Sequence, residues 1–170
     1  SMNHISNILE YPFASTPDPG ETMEVAPGVH WLRMPLPMSL NHINLYLIEG
    51  DQDWTIVDTG IRGEETSELW KQIFADRLGD KPVGQIICTH MHPDHTGQAG
   101  FLSDYWRAPL LMSYSEYYQA RVMGSMMQEG GSWHMSDFFI RAGVTMETLE
   151  AMRDMRSSFT PSADDTPLPK

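Results

Sequence analysis

Residues 25–112 alternate short apolar runs with turn residues, and residues beyond 112 show only helical spacing. Residues 28–34 have the length and apolar weight of a strand, stopped by Pro35 and Pro37. Residues 43–48 predict a second strand, ended by Glu49, Gly50 and Asp51. Residues 54–57 predict a third that runs into Asp58, Thr59 and Gly60. The spacing implies an antiparallel pair turning at Gly50 and Asp51. Residues 64–78 read as a helix, with Leu69, Trp70, Ile73, Phe74 and Leu78 on one stripe. Glu64, Glu65 and Glu68 suit its positive end, and Gly79 is placed to stop it. Residues 83–88 predict a strand, 97–106 a helix and 109–112 a short buried strand. Residues 113–128, 132–142 and 145–156 then read as three helices separated by glycines.

The ends differ in texture. Residues 1–24 are polar and punctuated by Pro12, Pro17 and Pro19, and read as an arm. Residues 157–170 read as a polar tail with three prolines, cut where a longer chain would continue. The organisation expected is an arm (1–24), a strand–helix–strand unit (25–112), a helical insertion (113–156) and the tail (157–170).

Composition narrows the function. The chain has 170 residues, of which 41% are hydrophobic, enough for a real core. Eleven Lys and Arg against 23 Asp and Glu give a formal charge of -12. Such a surface repels phosphate backbones, so nucleic acid and anionic membranes are disfavoured as partners and a small-molecule substrate is favoured. The single cysteine, Cys88, excludes an internal disulfide framework and fits a cytoplasmic setting. No leader or membrane-spanning run is visible in these residues.

The chemistry concentrates in the segment Thr89, His90, Met91, His92, Pro93, Asp94, His95, Thr96, Gly97. Neutral imidazoles and a carboxylate are ligands that a borderline metal such as zinc accepts; iron and manganese accept them too. His90 and His92, one residue apart at a strand end, can turn to one point. Asp94 and His95 lie where the chain turns into a helix and can face a second point nearby. That is a layout for two metals.

With residues 44–48 and the strand end Thr55, Ile56, Val57, Asp58, Thr59, Gly60, this motif resembles the N-terminal half of a metallo-β-lactamase superfamily hydrolase. Glyoxalase II, lactonases and many thioesterases belong to that group. The resemblance implies an α/β fold, one half of a four-layer αββα sandwich. It implies that His90 and His92 bind a first metal, and Asp94 and His95 a second. It implies that Asp58 orients the site beside them, and that Asp94 also orients a nucleophile and moves a proton. The implied activity is metal-assisted hydrolysis of an ester, thioester or lactone, with zinc as the expected cofactor. The further ligands that the family draws from its second half are not among these residues, so the chain reads as the first half only.

The alternative is a non-catalytic half-domain with weak or no metal binding. Its bare sheet face would be covered by a second copy, giving a homodimer. A di-iron oxidoreductase is a third reading, and antibiotic hydrolysis and nuclease activity are disfavoured. Remaining candidates have plainer explanations. His134 is a candidate third ligand, but an ordinary helix-face histidine is favoured. Met123, Met126, Met127, Met135, Met146, Met152 and Met155 are read as helix packing, or else as the wall of a lid. Arg121, Arg141, Arg153 and Arg156 are read as solvated positions rather than an anion clamp, and His42 as a turn residue. Cys88, in an apolar strand, is expected to be buried and inert.

Overall fold

The structure, a computed structural model, describes residues 10–128, 137, 139–157 and 162–170. Six strands form one sheet in sequence order: β1 (Met23–Ala26), β2 (Val29–Pro35), β3 (His42–Glu49), β4 (Trp54–Val57), β5 (Val83–Ile87) and β6 (Leu110–Leu111). The first four are antiparallel neighbours, whereas β4, β5 and β6 run parallel. The sign of pairing follows from the connections. Short turns join β1 to β4, while the two parallel steps each contain a helical crossover. These are α1 (Glu64–Arg77) before β5, and α2 (Pro93–Thr96) with α3 (Ala99–Trp106) before β6. Two longer helices follow, α4 (Tyr114–Gln128) and α5 (Met146–Ser157). No helix among the described residues is long and apolar enough to cross a membrane.

Side chains alternate across the sheet. Leu32, Met34, Ile43, Leu45, Leu47, Ile56 and Ile86 are buried on one face. They meet Trp70, Ile73 and Phe74 of α1 and Phe101 and Leu102 of α3 in a single core. The two helices also touch each other, Phe74 lying 5.0 Å edge-on to Trp106. The opposite face is open and mixed, with Tyr46 38% and Ile48 40% exposed. On it, Asn44 Oδ1 accepts hydrogen bonds from Trp31 Nε1 at 3.0 Å and Arg33 Nε at 3.1 Å. The result is one α/β layer pair: a helix layer on one side of a mixed sheet.

Two differences from the sequence reading have local causes. Met23 and Glu24, assigned to the lead-in, belong to β1 because β2 supplies a ladder for them, Met23 opposite Trp31 and Glu24 opposite His30. Such an edge strand has little signal of its own. The helix expected over 97–106 is α3, and a separate short helix, α2, precedes it because Pro93 starts α2 at its first position. The chain bends at Gly97 and Gln98 before α3 begins at Ala99. The helix expected over 132–142 lies mostly outside the described residues, although Asp137 and residues 139–141 are helical.

Residues 162–170 lie across α1, α3 and α4. Lys71 pairs with Asp164 at 2.7 Å, and Ser67 Oγ meets Ser162 Oγ at 3.1 Å. Arg62 donates to Thr166 O at 3.1 Å, and Tyr117 donates to Pro169 O. The backbone of Thr166 and Pro167 passes so close to Gly100 that a Cβ there would lie about 2.2–2.3 Å from their carbonyl oxygens. The carboxylates of Asp164 and Glu68 hold the Lys71 ammonium well above the usual lysine range.

Gly97 is the tightest point between motif and core. A Cβ on it would lie 2.3 Å from Arg62 N and 2.7 Å from Gly60 O, both backbone atoms that cannot swing aside. Gly97→Ala therefore costs about 2–3 kcal/mol or more in chemical denaturation, since overpacking a closed site is of that order. Gly124→Ala is the control. Nothing lies within 4 Å of a Cβ on that residue of α4, so helix propensity alone predicts a gain of up to ~1 kcal/mol.

Candidate metal centre

The segment with metal-competent side chains lies at the carboxyl ends of β4 and β5, where the ladder stops and two loops meet. Asp58 follows β4 with φ 62, an uncommon conformation for a residue with a Cβ. Several bonds hold it there. Its N–H donates to Ile87 O at 2.7 Å, while its carboxylate accepts from Thr89 N at 2.8 Å and Thr89 Oγ1 at 2.7 Å. Thr59 is fully buried and fastens the same turn to the helical side. Its N–H and hydroxyl both donate to His95 O, at 2.9 and 2.7 Å. Its Oγ1 accepts from Gln98 N at 3.1 Å, and its carbonyl accepts from Trp70 Nε1 at 2.7 Å. The Gln98 side chain, 1% exposed, donates to Ile61 O and Gly63 O.

This frame gathers the three histidines of the segment. The His90 and His92 rings are 4.8 Å apart between centroids, and the His90 and His95 rings 3.7 Å. His95 Nδ1 lies 3.0 Å from Asp58 Oδ2, and its Nε2 3.6 Å from Asp94 Oδ2. The first contact is short but poorly aligned, so this buried nitrogen has no properly formed hydrogen bond. The ring thus sits between two carboxylates, Asp58 at one nitrogen and Asp94 at the other.

The tautomer of His90 follows from counting hydrogens. Thr89 Oγ1 has one hydrogen and gives it to the acceptor-only carboxylate of Asp58. Its 3.1 Å contact with His90 Nδ1 then requires the imidazole to donate. The chain Asp58–Thr89–His90 thus leaves His90 Nε2 with its lone pair free, the form in which imidazole binds a metal. Asp58 reaches two histidines, one directly and one through Thr89.

The donor set of three imidazoles with Asp94 suits zinc, iron or manganese. The His90 tautomer favourable for coordination is built in, and the nearby carboxylates favour cations. Among the described residues, no three such donors already converge closely enough to hold an ion. The groups are assembled side by side, and binding would need small ring rotations about fixed backbones.

The other candidates lie elsewhere or outside the described residues. His134 and Met135 lie outside them, as do the side chains of Met126, Met127, Met152, Met155, Arg153 and Arg156. Met123 and Met146 are exposed. Arg121 donates to Tyr117 Oη at 2.8 Å, and Arg141 pairs with Asp137 at 2.8 Å. His42 starts β3, its Nδ1 2.9 Å from Asn41 Oδ1. Cys88 is buried against the site, and desolvation, helped by the charge of Asp58, pushes its thiol up to about 12.

Two participants carry no label in the sequence. Thr89 reads as a neutral residue before a histidine; its adjacency to His90 is the one hint. Glu116 lies on α4, and its carboxylate accepts a 2.6 Å hydrogen bond from Met91 N.

The metallo-β-lactamase superfamily model matches residues 39–129. A Bacillus subtilis (strain 168) protein described as a probable metallo-hydrolase, YqjP, is 31% identical over 74 residues, 43% of this chain and 23% of its own length. A β-lactamase domain protein of known structure from Burkholderia ambifaria is 44% identical, with a TM-score of 0.69 over 85% of this chain and 43% of that one. A metallo-β-lactamase family protein from Thermus thermophilus is 26% identical, with a TM-score of 0.60 over 86% of this chain and 48% of that one. The chain belongs to the metallo-β-lactamase superfamily. It spans less than half the length of each of these three relatives.

Two outcomes test this geometry. Thr89→Val removes the hydroxyl that links Asp58 to His90, and weakens zinc binding by about 10- to 100-fold in a chelator competition. Cys88, protonated at neutral pH, stays unmodified by iodoacetamide at pH 8 in the folded chain and reacts on addition of denaturant.

Proposed function

We propose that this chain carries the metal-binding part of a hydrolase acting on an ester, thioester or lactone carbonyl. The observation that carries the reading is the Asp58–Thr89–His90 chain. It orients an imidazole whose ring lies against the two remaining histidines of the same segment. A structural histidine needs no such relay; a ligand gains a fixed tautomer and direction from it. Membership of the superfamily and the metallo-hydrolase name of the B. subtilis relative support the same reading.

In this proposal His90 and His92 hold one metal, and Asp94 with His95 a second. Zinc is the first candidate, with iron and manganese as alternatives. A bound metal supplies Lewis acidity and a water acidified from about 15.7 toward roughly 7. The chain's own residues do the rest. Asp58 lies beside His95 and, through Thr89, orients His90. Asp94, half-buried beside His95, accepts and returns a proton at its carboxylate. Two protein ligands per metal is one fewer than the three of a catalytic zinc site, so each metal would need a further ligand beyond these four residues.

The test is the metal content of the purified chain by elemental mass spectrometry, followed by a screen of p-nitrophenyl esters, thioesters and lactones. The reading predicts at least about one bound zinc per chain, lost in the double variant His90→Ala, His92→Ala, and metal-dependent turnover of one substrate class. Metal content unchanged by that double variant would contradict it.

The open sheet face favours one addition: that a second copy of this chain covers it. Tyr46, Ile48 and Leu111 stand 38%, 40% and 42% exposed on or beside the sheet. Light scattering at high concentration then reports a dimer, and a monomer throughout removes the idea.

A further inference from the structure

The loop between β5 and α2 is fastened at three places. Thr89 N donates to Asp58. His92 O accepts from His95 N at 2.9 Å and Thr96 N at 3.1 Å. Between these anchors, Met91 N lies past the end of the β5 ladder and before the first turn of α2, so neither element offers it a partner. Its partner is Glu116 Oε2 at 2.6 Å, from α4, 25 residues along the chain. The bond is charge-assisted, a class roughly twice as strong as a neutral one.

Met91 is the residue between His90 and His92. Fixing its amide fixes the peptide plane that joins His90 to Met91, and so constrains the backbone from which both imidazoles, 4.8 Å apart between ring centroids, spring. We propose that Glu116 is a positioning residue of the metal centre. It presets the spacing of His90 and His92 and makes their affinity for a metal depend on how α4 is seated. The inference rests on the metal-centre reading for its consequence, but not for its mechanics. The grip on Met91 can be measured in the metal-free chain.

Three variants of the full chain separate the contributions. Glu116→Ala removes the acceptor. Glu116→Asp keeps the charge but withdraws the carboxylate by one methylene. Glu116→Gln keeps an acceptor oxygen at full reach without the charge. Two readouts are taken on each: zinc affinity by competition with a chromophoric chelator, and exchange of the Met91 amide by NMR without metal. The expected result for Glu116→Ala and Glu116→Asp is zinc binding weakened about tenfold or more, with Met91 exchange at least about tenfold faster. Glu116→Gln restores most of both. Unchanged Met91 exchange in Glu116→Ala and Glu116→Asp overturns the proposal, as does a Glu116→Gln as impaired as Glu116→Ala. If Glu116→Ala does not fold, Glu116→Asp against Glu116→Gln decides. Should the wild-type chain take up no zinc, the metal reading fails alone, and amide exchange still decides whether Glu116 holds the loop.

Discussion

The strand-end turn at Asp58 and Thr59 is the constraint on which the rest depends. Two buried residues there make bonds to five others: Ile87, Thr89, His95, Gln98 and Trp70. Those partners come from β5, the loop after it, α2, the start of α3 and α1. A left-handed Asp58 costs on the order of 1–3 kcal/mol, and such a conformation persists only where its surroundings over-determine it. Five partners do so. The turn connects the hydrophobic core, through Trp70, to the polar loop that carries the histidines.

From that connection the logic of the site follows. The sheet and α1 exist because apolar side chains alternate on the strands and form a stripe on the helix, burying Leu32, Leu45, Ile56, Trp70 and Ile73 completely. Burial of Trp54 and Ile56 fixes the end of β4. Hydrogen bonds then carry that constraint outward to Thr89, the ring of His90 and the backbone of His95. Gly97 lets the motif lie flat against Gly60 and Arg62, which no larger residue permits. In this account the backbone is set before an ion arrives, so little of it would need to reorganise.

Much of this was legible in the sequence. Strands β2 to β5 and helix α1 were readable because their apolar periods are strong and their ends carry glycine or proline. The four candidate ligands were readable because His90, His92, Asp94 and His95 fall within six positions. What escaped was whatever depends on a partner far along the chain. β1 pairs only because β2 is there. Trp70 read as one more stripe residue, yet its indole N–H also holds Thr59 O. Residues 162–170 read as a polar tail, yet their backbone carbonyls and Asp164 meet Arg62, Tyr117 and Lys71. Glu116 carries no local pattern linking it to Met91. Spacing reports what neighbours in sequence do, and these contacts join segments that only the fold brings together.

The central claim is that the fold sets the backbone of the centre without metal. Residue-resolved amide exchange on the metal-stripped chain tests it most directly. The account predicts that the amides of Asp58, Thr59 and Gln98 exchange as slowly as those of β3 and β4 in the core, and that zinc changes them little. Exchange at surface-loop rates without metal, with protection appearing only on zinc addition, would mean that the metal builds the turn, and would contradict the account.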